Sequence, residues 1–265
     1  MQFNLNLRNW QRVWCAGLTA LLSTAAALGT SAAVAGAATR DIPALPKLPA
    51  APALAASTNA LPFEKEILAF EAADATNPPA PGATLFIGSS SIRLWKTLAE
   101  DFPGQRVLNR GFGGSQIIDS VRYAGRVVIP YKPRLIVLYA GGNDINAGKS
   151  AETVLNDYKS FVARVRAGLP ETPIAYISIA PNPARWAQVD SVRAANALIE
   201  AHTRTDTRLA FIDVFPGMLG ANGEPLPDIY VADRLHMNAK GYELWRGIVG
   251  PVLDRWPKTP VKAAE

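Results

Sequence analysis

Five short apolar runs, at residues 83–87, 106–108, 135–140, 174–179 and 209–214, alternate with longer stretches of helical spacing. This alternation limits what the chain can fold into more than any other feature. The runs are short and rich in β-branched residues, which suits strands buried on both faces. From Ser150 onward, Val154, Tyr158, Phe161, Val162 and Val165 mark one apolar helix face, with Ser150 as its N-cap. Further helices are expected at 115–128, 184–202 and 239–253. Five strands separated by helices predict a parallel sheet covered on both sides. In such a sheet, chemistry collects in the loops beyond the carboxyl ends of the strands.

The residues before this block have a different character. Arg8 and Arg12 precede an uncharged run at 16–38 that is rich in Ala and Leu. Ala33, Ala35 and Ala37 offer small-residue cleavage points, so residues 1–35 are expected to be an export signal cut near Ala35 or Ala37. The other reading is a retained anchor, since 23 uncharged residues can span a bilayer. Export implies a periplasmic or secreted protein with no membrane span after cleavage. Cys15, the only cysteine, lies inside this segment, leaving the remainder without thiol, disulfide or cysteine metal site. Residues 36–62 are rich in Ala and Pro and read as a linker or wrapping arm, which leaves 63–265 as the folded domain. Of the net charge of +5, Arg8 and Arg12 supply two. The other charges are scattered without a basic stripe, which argues against a nucleic-acid partner.

Four strand-end loops carry the candidate chemistry: GSSS at 88–91, NRGFGGS at 109–115, GGND at 141–144, and a long loop ending DRLHMN at 233–238. There are two histidines. His202 falls within an expected helix among Ala, Thr and Arg, on a solvated face. His236 has Asp233 three residues before it, so a carboxylate could hold Nδ1–H and leave Nε2 to take a proton. A surface ion pair near a helix start explains the same spacing. GSSS needs only one serine for a turn and cap, with Ser90 or Ser91 as the cap, while a nucleophile would account for another. GGND could supply an oxyanion donor or simply a tight turn. Two nucleotide-binding patterns fail. G-x-G-x-x-G has Gln116 in its last position, and the phosphate loop suggested by NDINAGKS (143–150) has Asn143 where glycine is required.

Together, over roughly residues 83–253, the four stretches resemble the SGNH/GDSL hydrolase superfamily of serine esterases, most closely its platelet-activating-factor-acetylhydrolase-like branch. DRLHMN, continued by Ala239, Lys240, Gly241 and Tyr242, is the most specific piece. The resemblance implies a three-layer flavodoxin-like α/β fold with a five-stranded parallel sheet and helices on both faces. It implies Ser90 as nucleophile, with Asp233 and His236 completing a triad. Its oxyanion hole maps onto the backbone N–H groups of Ser90 and Gly114 and the side chain of Asn143. No metal and no organic cofactor are implied. The family's first block commonly reads Gly-Asp-Ser, and here Ser89 stands in place of that non-reacting aspartate.

The expected activity is hydrolysis of carboxylic esters, with short or medium acyl or acetyl groups, through an acyl-enzyme. The alternative is a non-catalytic module of the same fold that binds an acylated glycan or lipid. Loops 180–187 and 215–232 are expected to border the pocket and offer Trp186, Met218, Leu219, Ile229 and Tyr230. They leave small-molecule, glycan and lipid esters all open as substrates, and the sequence does not speak to oligomeric state.

Overall fold

A computed structural model describes residues 61–256. The segment expected to be an export signal and nearly all of the Ala/Pro-rich stretch lie outside the described residues. The strands are β1 (Thr84–Gly88), β2 (Val107–Gly111), β3 (Leu135–Tyr139), β4 (Ile174–Ile177) and β5 (Leu209–Ile212). They pair in parallel in the order β2-β1-β3-β4-β5. The helices are α1 (Glu64–Thr76), α2 (Ser90–Arg93), α3 (Leu98–Asp101), α4 (Ile117–Val127), α5 (Gly142–Asn146), α6 (Ala151–Arg166), α7 (Val189–Thr203) and α8 (Ala239–Leu253). Among the described residues no helix is long and apolar enough to cross a membrane.

The period-two alternation of buried strands divides the core into two layers. Leu85 and Ile87 of β1, with Ile136 and Leu138 of β3, face α4, α6 and α7. Phe86, Leu135, Val137 and Tyr139 point to the other side, where Trp95, Phe102, Tyr242, Trp245 and Leu253 pack on them. The result is the expected three-layer α/β fold. Ser150 caps α6 by accepting from Thr153 N–H at 3.2 Å.

Two elements depart from the sequence expectation. The helix expected at 184–202 is broken: a 3₁₀ turn (Pro183–Gln188) with non-helical backbone at Arg185 precedes α7. Helix α1 carries no clear apolar stripe and buries Ile67 alone. Ile67 and the half-buried Phe70 pack on the core, and salt bridges add to that hold. Arg126 of α4 donates to both carboxylate oxygens of Glu71 and to Glu64, each at 2.7 Å, and Arg110 of β2 donates to Asp74 at 2.6 and 2.8 Å. Tyr131 donates to the same aspartate.

The strand order places the direction reversal at β1, which lies between β2 and β3. A crevice at such a switch point, beyond the carboxyl ends of the strands, is where doubly wound sheets bind ligands. The loops after β1 and β3 flank it.

Candidate active site

The turn after β1 is forced by backbone crowding. Gly88 has φ +133°, and a Cβ there would lie 1.8 Å from the Tyr139 carbonyl oxygen on the neighbouring strand. Only glycine allows this approach. Ser89 follows, 5% exposed, with its N–H donating to Tyr139 C=O at 2.9 Å. Ser89, rather than Ser90 or Ser91, occupies the N-cap position of α2, and its side chain makes no capping bond. The capping expected of Ser90 or Ser91 is therefore not found. Both lie within α2 itself, with Ser90 as its first residue.

Ser90 Oγ is 2.8 Å from His236 Nε2, across 146 positions of sequence. His236 Nδ1 is 2.6 Å from Asp233 Oδ2. The other oxygen of Asp233 accepts from the N–H groups of Leu235 and His236, at 2.9 Å each. These bonds to His236 and the backbone depress the Asp233 pKa from 3.8 to about 2. An ionised carboxylate only accepts, so Nδ1 carries the donated hydrogen, and in the neutral ring Nε2 then accepts from Ser90 O–H.

The loop that presents this pair is pinned at several points. Arg234, between the two residues, has φ +57°, and Val231 N–H donates to His236 C=O at 2.8 Å. Asn238 caps α8 by accepting from Lys240 and Gly241, while its amide donates to the carbonyls of Asp228 and Tyr230. Tyr242 O–H donates to Ser91 C=O at 2.9 Å, tying α8 to the serine turn. The distinctive DRLHMN-AKGY run is thus a loop, its cap and its anchor.

Asn143 opens toward the same crevice at the start of α5. Its Nδ2 donates to Ser115 C=O at 3.0 Å, and its Oδ1 accepts from Arg185 Nη1 at 3.0 Å. The next residue, Asp144, has a fully buried side chain that accepts from Ile117 N–H at the start of α4 and from Lys149 Nζ at 2.9 Å. One carboxylate therefore joins the loop after β2 to the loop after β3. Burial raises the Asp144 pKa despite the lysine. Lys149 also donates to Asp157 at 2.6 Å, so the lysine of the rejected phosphate-loop pattern is fully engaged inside the fold.

Ser90, His236 and Asn143 line one cavity of about 40 Å³, together with Tyr139, Arg185, Met218, Tyr230 and Trp245. Of the five residues expected around the pocket, Met218 and Tyr230 line this cavity. Trp186 lines an adjoining cleft, Ile229 is buried in the core, and Leu219 packs against the core. Gly114 is not part of the lining, although its neighbour Ser115 supplies the carbonyl that Asn143 contacts. Among the described residues, neither the Ser90 nor the Gly114 backbone N–H has a hydrogen-bond acceptor. Two residues of the site carry no signal in the sequence: Arg185, in the 180–187 loop beside Trp186, and Asp144, whose partners come from other loops. His202 lies away from the site. It is half-buried with its ring edge-on to Tyr158 at 5.9 Å, not on an open face, and burial lowers its pKa.

The family model for the GDSL-like lipase/acylhydrolase family matches residues 82–244, a span that contains all four motif loops. Solved structures share the fold. A GDSL-like lipase from Bacteroides thetaiotaomicron aligns with TM-score 0.61 at 19% identity, covering 71% of this chain and 97% of that one. A carbohydrate esterase family 3 protein from Talaromyces cellulolyticus aligns with TM-score 0.53 at 19% identity, over 66% of this chain and 97% of that one. A lipase/acylhydrolase from Enterococcus faecalis gives TM-score 0.53 at 17% identity, over 68% and 100%. No curated protein matches the sequence.

Proposed function

We propose, from the premise that this chain belongs to the GDSL-like lipase/acylhydrolase family, that it is a serine esterase acting on small acyl esters through Ser90, His236 and Asp233. The observation that carries this reading is the unbroken hydrogen-bond chain from Ser90 Oγ through His236 to Asp233, at 2.8 and 2.6 Å. A binding module would have no use for a hydroxyl aimed at an imidazole that is itself held by a carboxylate.

In this mechanism Ser90 Oγ attacks the ester carbonyl carbon while Nε2 of His236 takes the hydroxyl proton. Asp233 keeps the ring in the required tautomer and stabilises the imidazolium. The carbonyl electron pair moves onto oxygen, where the N–H groups of Ser90 and Gly114 and the Nδ2–H of Asn143 would donate. Collapse of the tetrahedral adduct breaks the C–O bond to the alcohol, which leaves with the proton from His236. Water, deprotonated by the same histidine, then releases the acid and restores Ser90.

The cavity size favours the smallest acyl groups. Sites that enclose drug-sized ligands run to about 300–1,000 Å³. A space of about 40 Å³ bounded by Tyr139, Tyr230 and Trp245 has room for an acetyl methyl and little more. The alcohol side is open to small-molecule, glycan and lipid esters alike. The Arg8/Arg12, uncharged-run and small-residue order at the N-terminus supports export, which intact-mass measurement on protein from the native host would test.

A panel of p-nitrophenyl esters of rising acyl length, run with a fluorophosphonate probe, tests the function. Acetate should be turned over fastest, and Ser90→Ala should abolish labelling and cut kcat by several orders of magnitude while the fold survives. Absence of labelling and turnover in the wild type would leave the binding module as the reading. Labelling that persists in Ser90→Ala but is lost in Ser89→Ala or Ser91→Ala would move the nucleophile by one residue.

A further inference from the structure

We infer that Arg185 is a positioning residue for Asn143, fixing the orientation of its amide so that one Nδ2 hydrogen faces the reacting oxygen. This rests on the esterase reading above. Arg185 sits in the 3₁₀ turn after β4, where its N–H donates to Asn182 Oδ1 at 2.9 Å. Its Nη1 reaches two acceptors at the strand end of β3, Asn143 Oδ1 at 3.0 Å and Gly142 C=O at 3.1 Å.

The neighbours of Asn143 decide which way its amide points. A guanidinium only donates and a backbone carbonyl only accepts. Oδ1 must therefore face Arg185, and the NH₂ group must face Ser115 C=O. The flipped amide would set two donors against each other on one side and two acceptors on the other. Ser115 occupies one Nδ2 hydrogen and leaves the second for the cavity that Asn143 lines together with Ser90. A charged donor on Oδ1 also polarises the amide, which strengthens the bond its N–H can give.

The burial of Arg185 is otherwise hard to explain. Among the described residues it has no carboxylate partner, and its charge is met by neutral oxygens. Burial accordingly lowers its pKa from the ordinary arginine value. A half-buried cation without a counter-ion costs free energy, and a neutral side chain of the same length would avoid that cost. What a neutral side chain could not do is hold Oδ1.

The test is a double-mutant cycle on ester hydrolysis with Asn143→Ala, Arg185→Met and the pair, together with Arg185→Lys. Thermal melts establish that each variant is folded, and Arg185→Lys carries the test should Arg185→Met not fold. Asn143→Ala should lower kcat by about 10²–10³, the usual loss for one oxyanion donor. Arg185→Met should lower kcat by roughly 10-fold or more with KM nearly unchanged, and lysine should recover part of it. The double variant should be no slower than Asn143→Ala alone, because both changes remove the same bond. Losses that multiply, or a rise in KM with kcat intact, would overturn the inference and make Arg185 a contact for the substrate instead. A wild type that neither turns over esters nor takes up the fluorophosphonate would overturn the esterase reading, and this inference with it. A wild type that does both, with an additive cycle, would overturn the inference alone.

Discussion

Replacing Lys149 by methionine should destabilise the fold in a pH-dependent way, because it strips the cation from a buried carboxylate. Asp144 is fully buried, and Lys149, 22% exposed, bonds it at 2.9 Å and Asp157 at 2.6 Å. Removing one partner of a buried pair typically costs ~3–5 kcal/mol. Lys149 keeps some contact with solvent, so we expect the lower end, about 3 kcal/mol. For a domain of this size that corresponds to a fall in Tm of roughly 6–12 °C. Burial already raises the Asp144 pKa, and losing the lysine bond and charge would raise it further. A carboxyl whose folded pKa lies above its unfolded value binds a proton on folding, so stability is lost as pH rises through the folded pKa. The deficit of Lys149→Met should therefore be smaller at pH ~5 than at pH ~8, as read by urea melts at both. Adding Asp144→Asn should return part of the loss, since the side-chain oxygen can still accept from Ile117 N–H. A Lys149→Met protein within ~1 kcal/mol of wild type at the higher pH, or one with the same deficit at both, would refute the reasoning.

Gly88→Ala should yield little soluble protein, because its Cβ would meet the Tyr139 carbonyl oxygen at 1.8 Å and neither strand can withdraw without breaking its pairing. A soluble, active Gly88→Ala would show that the Tyr139 carbonyl does not crowd this turn. Ionisation of Asp233 should contribute nothing to the acid limb of kcat/KM. Asp233, depressed to about 2 by its bonds to His236 and the backbone, stays ionised at any pH where the enzyme works. The stabilisation tied to its lowered pKa is present above the ordinary carboxylate value of ~3.9 and is lost only as pH falls through the folded value. An ionisation of the Asp233 carboxyl observed by NMR between pH ~4 and ~6 would refute this.

What could be read from the sequence was local or depended on strand ends. The five strands stand within a few residues of the apolar runs, because a strand buried on both faces has no polar positions to confuse the pattern. Asp233 and His236 are three residues apart, so a single loop suffices to pair them. Helix α1 was not legible for the opposite reason. Beyond Ile67 and Phe70, its docking contacts come from Arg126 and Arg110, which lie 36 to 62 positions from the acids they meet. Each of those acids, read alone, looks like ordinary surface charge. The break before α7 has no sequence signal, because Arg185 is non-helical inside a segment whose composition suits a helix.

The candidate site shows where the boundary between legible and illegible falls. Ser90 and Asn143 could both be placed at strand ends without knowing that β1 and β3 are neighbours, because the carboxyl-end rule holds for any parallel order. Their meeting in one cavity depends on the order itself, with Gly88 in register with Tyr139. The residues that hold those groups in place are a further step away. Asp144 needs the loop after β2 to reach the loop after β3, and Arg185 needs the turn after β4 to reach back to α5. A reacting group carries a chemical type that sequence displays. A supporting group is defined by what it touches, and an aspartate or arginine whose partners lie on other strands has no local signature. The same distinction decides how variants should be read. Changes at Ser90 or His236 test which groups react, whereas changes at Asp144, Lys149 and Arg185 test how five parallel strands bring them together.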